Sequence, residues 1–275
     1  MPLAAFASLH PRFDAASGLL ELELDHGKAN EIGTEALTAF EALCAWVEAE
    51  DAVACVSTTS RKRTAKGNPI FVSGADVRER IGWPPERIRA HVERQRALMA
   101  RIRTLPVFTV VLSTGATLGW GLEYCLACDY VLAAPEAFFA LPETGLGIIP
   151  GAGGTALLAE RIGLAQALRL GCTGERLDAA EAKRIGLVDE IATDIDAGLE
   201  RIRALAALLR RRSPTAVATF KQVVLAGLGR PLAERLDLEA RGYHHTVETG
   251  DAEQGRATFG SDVAPTWSKR RTSDL

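Results

Sequence analysis

An α/β fold is predicted by three features of the chain. Short strand-like runs recur, one alternating apolar and acidic residues and the others almost wholly apolar. They alternate with stretches of helical period in strand–strand–helix order. From Leu164 onward the pattern becomes nearly all helical.

Residues 19–24 (LLELEL) have the two-residue period of a half-buried strand, and residues 26–30 (HGKAN) form a turn. Residues 34–50 set Leu37, Phe40, Leu43, Trp46 and Val47 on one side of a helix, and 53–57 form a short strand. Residues 61–69 are a basic loop with two readings: a solvated surface segment, or one that meets phosphates of an anionic ligand. The strand at 70–72 breaks at Ser73-Gly74-Ala75-Asp76, where Asp76 is placed to cap a helix start. Residues 84–103 have helical spacing with Arg, Glu and Gln on the wet side.

Residues 107–112 (VFTVVL), apolar and β-branched, predict a strand buried on both faces. A second such strand is expected at 130–133, and a short third at 138–140. A helix begins directly after the glycine turn, at 155–161. Further helices are expected at 164–170, 178–185, 195–212, 216–226, 232–248 and 251–258, with one strand at 187–191. The segment Arg210-Arg211-Arg212-Ser213-Pro214 is a stop signal, and the polar tail 261–275 is expected to be loosely ordered in part.

Composition narrows the function. Hydrophobic residues make up 47% and charged residues 24%, ordinary for a globular chain. A net charge of -3 and a pI near 6.0 give no electrostatic ground for a nucleic-acid partner. The opening MPLAAFASLHPRFD lacks the pattern of a signal peptide, and no run approaches the roughly 18 apolar residues of a membrane span. Cys44, Cys55, Cys125, Cys128 and Cys172 are odd in number and lie in apolar contexts, which predicts reduced core thiols and a cytoplasmic location. The Cys125/Cys128 pair sits in a helical stretch without a second pair, so no metal or redox site is expected. His244 and His245 point about 100° apart on a helix, which argues against a shared role.

The chemistry concentrates in residues 115–155. Glu123 lies in an apolar helical stretch, where an ionised carboxylate is costly unless it is paired or shifts its pKa. Glu143 follows Pro142 just before a glycine-rich turn. Two carboxylates brought to one pocket can divide acid and base roles. The Gly119-Trp120-Gly121 segment offers backbone N–H groups at a helix start, suited to developing negative charge. The Gly151–Thr155 turn has no G-K-[S/T] and no G-x-G-x-x-G, so it is not read as a nucleotide-phosphate loop. No G-x-S-x-G and no histidine near Ser113 support a serine hydrolase.

In order and spacing, Gly119-Trp120-Gly121-Leu122-Glu123, Asp129, Pro142-Glu143 and Pro150-Gly151-Ala152-Gly153-Gly154-Thr155 resemble the enoyl-CoA hydratase/isomerase (crotonase) superfamily. A weaker likeness runs from about residue 18 to about residue 260, and Ser73-Gly74-Ala75-Asp76 is similar to the family's G-A-D segment. The resemblance implies a spiral ββα core that binds acyl-CoA over residues 1–195. It implies a C-terminal helical region, 196–275, that packs across subunits into a homotrimer or a dimer of trimers (a hexamer). The implied activity is a carbon–oxygen lyase of fatty acid metabolism that adds water to a 2-enoyl-CoA thioester. Glu123 and Glu143 would be the acid/base pair, and the Ala75 and Trp120 N–H groups the oxyanion hole. Lys28, Ala29, Ser73, Gly74, Asp76 and Phe259 would contact coenzyme A, Phe259 from a neighbouring subunit. No metal and no cofactor beyond the substrate's coenzyme A are implied.

Other reactions of the same scaffold stay open: isomerisation, acyl-CoA hydrolysis and decarboxylation. Retention of both glutamates favours water addition, because many isomerases of the family use one acid. The glutamate pair and the acidic pI weigh against a non-catalytic assembly or RNA-interacting relative. Two positions depart from the pattern. Leu141 stands where glutamine is common, and Trp120 where glycine is usual. The indole is expected either to narrow the acyl pocket, together with residues 81–95, or to alter the angle of the donor. Lys269, Arg270 and Arg271 are read as a solvated tail or as groups that reach phosphates.

Overall fold

In the computed structural model, which describes residues 3–272, each strand–strand–helix unit sends its two strands to different sheets. The larger sheet runs, in spatial order, β1 (Pro11–Asp14), β2 (Leu19–Glu23), β3 (Cys55–Thr59), β5 (Phe108–Ser113), β7 (Tyr130–Ala133) and β10 (Glu190–Ile191). The smaller runs β4 (Ile70–Val72), β6 (Ala116–Leu118), β8 (Phe138–Ala140) and β9 (Leu177–Asp178). Pairing is antiparallel for β1 with β2 and for β8 with β9, and parallel elsewhere. Each second strand leads to a helix: β4 to α2 (Pro85–Arg103), β6 to α3 (Trp120–Ala127), and β8, through a 3-10 turn at Pro142–Leu146, to α4 (Gly154–Ile162). The earliest unit lacks a full second strand. Ile32 makes a single bridge to Ala75 before α1 (Thr34–Ala49) begins.

The sequence explains these placements. β5 is buried at five of its six positions, as its β-branched run requires between two covering layers. Every residue of α3 is buried, including Glu123. The main core joins Leu37, Phe40 and Leu43 of α1 to Phe71, Leu122 and Phe139. A second cluster packs Leu199, Ile202 and Ala206 of α7 (Ile195–Arg210) on Leu19, Val110, Leu112 and Leu132 of the larger sheet. The helix that opens the C-terminal region is thus part of the sheet's packing. The remaining helices are α5 (Leu164–Thr173), α6 (Ala179–Arg184), α8 (Pro214–Gly227), α9 (Leu232–Glu248) and α10 (Asp251–Thr258). Asp129 ties α8 to the core: its Oδ2 accepts from the Thr109 amide at 2.8 Å and from Lys221 Nζ at 2.7 Å.

Several expectations need correction. The strand expected at 187–191 is confined to Glu190–Ile191, because Leu187 and Val188 turn inward on the helix before it, their amides bonded to Ala182 O. Four cysteines are buried, but Cys172 is exposed near the end of α5. In the basic loop, Arg61 pairs with Asp196 and Lys62 with Asp25, both at 2.5 Å, as befits a surface segment. From Trp267 to Arg271 the tail is docked, whereas 261–266 are mostly exposed and without regular structure. Trp267 Nε1 donates to Arg211 O at 3.2 Å, the Arg271 amide donates to Thr215 Oγ1 at 2.9 Å, and Arg270 is buried. The Arg270 guanidinium donates to the carbonyls of Val47 (2.6 Å), Glu48, Glu50 and Val53 (each 3.2 Å), closing the end of α1. It is therefore neither solvated nor free to reach a phosphate. Residues 273–275 of the expected tail lie outside the described residues.

Candidate active site

Glu123 occupies the first turn of α3 and is only 3% exposed. Its Oε1 accepts the amides of Ala152 at 2.7 Å and Gly154 at 2.9 Å. Those donors come from the glycine turn before α4, which Thr155 Oγ1 closes by donating to Pro150 O at 3.0 Å. Burial raises the Glu123 pKa, while the two amides and the nearby charges of Arg80 and Arg96 draw it back down.

Glu143 stands in the opposite condition. It lies on the 3-10 turn after β8, and its Oε2 is buried without a hydrogen-bond partner. Burial pushes its pKa up to about 7, and the charge of Glu123 adds to the rise. Its other oxygen presses on Gly119, where a Cβ would come within 2.6 Å of Oε1. Gly119 also has φ 50°, so glycine is needed there twice over. Near neutral pH one carboxylate is thus held by amides and the other is poised to carry a proton.

The Ala75 and Trp120 amides flank this pair. The bridge to Ile32 uses Gly74 O and the Asp76 amide, both at 2.9 Å, and the Ala75 amide donates to no acceptor among the described residues. The Trp120 amide, at the open start of α3, likewise has no acceptor there. The two loops touch: a Cβ on Gly119 would lie 3.8 Å from Gly74 Cα, and one on Gly74 would lie 3.5 Å from Leu118 O. Two free N–H groups on adjoining backbone, beside two carboxylates, suit an oxyanion.

The Trp120 side chain corrects an expectation. It is 1% exposed, stacked on Tyr124 at 5.5 Å with a 10° interplanar angle and tilted against Phe40 at 5.5 Å. The indole therefore enters the core between α1 and α3 and does not line the acyl pocket. Of residues 81–95, the buried members are His91 and Gln95, hydrogen-bonded at 3.3 Å, whereas Ile81 is exposed. Leu141 is buried in the main core.

Five of the expected coenzyme A contacts come together. The Ser73 amide donates to Ala29 O at 3.1 Å, which joins Lys28 and Ala29 to Ser73, Gly74 and Asp76. Asn30, at first only a turn residue, fixes that junction. With φ 53° it aims Nδ2 at Leu24 O, Phe71 O and Ser60 Oγ. Asp76 Oδ1 accepts the Arg78 and Glu79 amides and so caps a turn rather than a regular helix. Phe259, 92% exposed just after α10, packs on none of these residues within the chain.

One wall of the site is α2. A Cβ on Gly151 would meet Val92 Cγ1 at 2.6 Å, and Arg96 Nε donates to Gly151 O at 3.1 Å. Val92, Arg96, Thr144, Ile148 and Ile149 line an open groove of about 650 Å³ there. A larger cavity of about 980 Å³, bounded by Asp129, Phe220, Lys221 and Trp267, includes neither glutamate and lies outside this chemistry. Sequence reasoning did not single out Arg80, Arg96 or the Ala152 and Gly154 amides. The P-G-A-G-G-T string was the one visible signal for the amides. Among the described residues, no group of three or more His, Cys, Asp or Glu is placed to hold a metal. Burial pushes the Cys128 thiol up to about 12 and that of Cys125 well above its ordinary value. No helix among the described residues is long and apolar enough to cross a membrane.

Comparison with known proteins gives a consistent picture. The family model described as enoyl-CoA hydratase/isomerase matches residues 16–270. YngF of Bacillus subtilis strain 168, named as an enoyl-CoA hydratase/isomerase, is 35% identical over 231 residues, 84% of this chain and 86% of its own. The mitochondrial methylglutaconyl-CoA hydratase of Rattus norvegicus is 36% identical over 193 residues, 69% of this chain and 61% of its own. Among solved structures, an enoyl-CoA hydratase from Bacillus anthracis superposes with a TM-score of 0.83 at 30% identity, covering 94% of this chain and 98% of that one.

Proposed function

Because the chain belongs to the enoyl-CoA hydratase/isomerase family, we propose that it adds water across the double bond of a 2-enoyl-CoA thioester. The observation that carries this reading is the unlike state of two neighbouring carboxylates: Glu123 held by two amides, Glu143 half-buried with its Oε2 unpartnered and a pKa of about 7. The thioester oxygen sits between the Ala75 and Trp120 N–H groups. Each such donor contributes about 3 kcal/mol to the transition state, and the start of α3 adds its positive end. Glu123 takes a proton from water through the oxygen not bound to the amides. The water oxygen bonds to Cβ, and the π electrons move through Cα onto the thioester oxygen as an enolate. When the enolate collapses, Glu143 delivers its proton to Cα, and proton exchange with solvent resets the pair. Lys28, Ala29, Ser73, Gly74 and Asp76 hold the coenzyme A moiety.

The same reading includes a homotrimer or a dimer of trimers. It is supported by the exposed apolar residues of the C-terminal helices, Phe220 and Val224 on α8 and Leu232, Leu236 and Tyr243 on α9. Sedimentation should give three or six copies of the 29.4 kDa chain, and a monomer would remove this part. The reaction is tested by loss of the conjugated absorbance of crotonyl-CoA. Glu123→Gln and Glu143→Gln are each expected to lower turnover by about 10²-fold or more. Conversion of a 3-enoyl-CoA to its 2-enoyl isomer that survives Glu143→Gln, with no hydration of crotonyl-CoA, would instead favour a single-acid isomerase.

A further inference from the structure

Arg80 lies on the turn that follows Ala75-Asp76, its amide donating to Val77 O at 3.3 Å, and part of its guanidinium is unsatisfied. Its Nε and Nη2 are buried and meet no acceptor. Burial pulls its pKa down, against the charges of Glu79, Asp76 and Glu123. One oxygen of each of those acids is engaged elsewhere, and none pairs with Arg80. Glu79 Oε2 accepts the Thr34 amide at 2.9 Å, Asp76 Oδ1 accepts two amides of its own turn, and Glu123 Oε1 accepts those of Ala152 and Gly154. Among the described residues Arg80 forms no ion pair. Nearby arginines are provided for: Arg94 bonds Glu41 at 2.7 Å, Arg87 lies 3.8 Å over the Trp83 ring, and Arg96 bonds Gly151 O.

His91 packs edge-on to Trp83 at 5.2 Å and is hydrogen-bonded to Gln95. Burial, with the Arg80 charge second, lowers the His91 pKa. A half-buried guanidinium with two free nitrogens on one edge matches a carboxylate, which accepts from both at once. On the hydratase reading, water activated by Glu123 adds at Cβ and the acyl chain runs on from there, while Arg80 sits on the turn directly after the Ala75 amide.

We propose that Arg80 is a specificity-determining residue that pairs with a carboxylate on the acyl group, so that the preferred substrates are 2-enoyl-CoA thioesters bearing a second, distal acid. This rests on the hydratase reading for the direction of the acyl chain. Glutaryl-CoA and butyryl-CoA differ by one terminal carboxylate, and neither can be hydrated. Calorimetric titration of the whole protein is expected to show glutaryl-CoA bound about tenfold or more tighter. In Arg80→Met that preference falls to about one, and in Arg80→Lys part of it returns. The kcat/KM ratio of glutaconyl-CoA to crotonyl-CoA should follow the same order.

A wild-type ratio at or below one overturns the proposal. So does an Arg80→Met variant that weakens both ligands equally, which would mark a structural role beside Glu123. Preference for glutaryl-CoA without hydration of either enoyl thioester would sink the hydratase reading and leave the carboxylate site standing. Glutamate-dependent hydration of crotonyl-CoA without any preference would do the reverse. Failure to bind either thioester removes both.

Discussion

The Gly154 amide donates to Glu123 Oε1 at 2.9 Å, and a Cβ on Gly154 would lie 3.0 Å from Glu123 Cγ and 2.9 Å from Pro150 Cβ. The residue that steadies the carboxylate is thus also the one with no room for a side chain. Gly154→Ala is expected to keep the fold by circular dichroism while kcat falls about 10²-fold, the cost of a small displacement of a reacting group. A variant within threefold of wild type would show that Glu123 does not need this placement.

Glu143 makes a pH prediction with a definite sign. Its value of about 7 lies above the ordinary 4.5, so the fold favours its protonated form. As a proton donor it works while protonated, and kcat/KM is expected to fall as pH rises through about 7. The same shift is linked to folding. The stability it contributes is whole below 4.5 and is lost as pH rises through about 7. Glu143→Gln should therefore melt above wild type at pH 8 and close to it at pH 4.5. An offset independent of pH would contradict this.

Trp120→Ala is expected to cost about 3–5 kcal/mol in urea denaturation, since it empties a space between Phe40 and Tyr124 in the main core. Trp120→Phe should cost clearly less. Equal, small losses in both would mean that the indole is not the filler the structure shows.

How much of this was legible in the sequence depends on how local the cause was. Residues 107–112 read as a buried strand because burial on both faces leaves a continuous apolar run, and β5 is that strand. β6, at Ala116–Leu118, has three residues and no period to detect, and β9 has two. Glu123 and Glu143 stood out because each is an acid in an apolar setting. Their difference did not, because it is made by the amides of residues 152 and 154, supplied by a distant turn. The direction of the Trp120 indole depends on where α1 lies. Arg80 looks like any surface arginine until its Nε and Nη2 are seen to be buried without an acceptor.

Arg270→Ala is expected to lower stability by about 2 kcal/mol, the scale of a charge-assisted hydrogen bond to a buried acceptor. Urea denaturation measures it. A loss under 0.5 kcal/mol would show that water serves the α1 carbonyls equally well.

The Arg270 contact also bears on how the chain is made. Val47 and Arg270 are 223 positions apart. At ribosomal speeds of 5–20 residues per second, about 11–45 s pass between the emergence of one and the arrival of the other. Through that interval the final turn of α1 has translated carbonyls and no guanidinium to receive. A chain that stops between residue 155 and Arg270 has every glutamate and glycine of the reaction centre yet lacks the clasp on its earliest long helix.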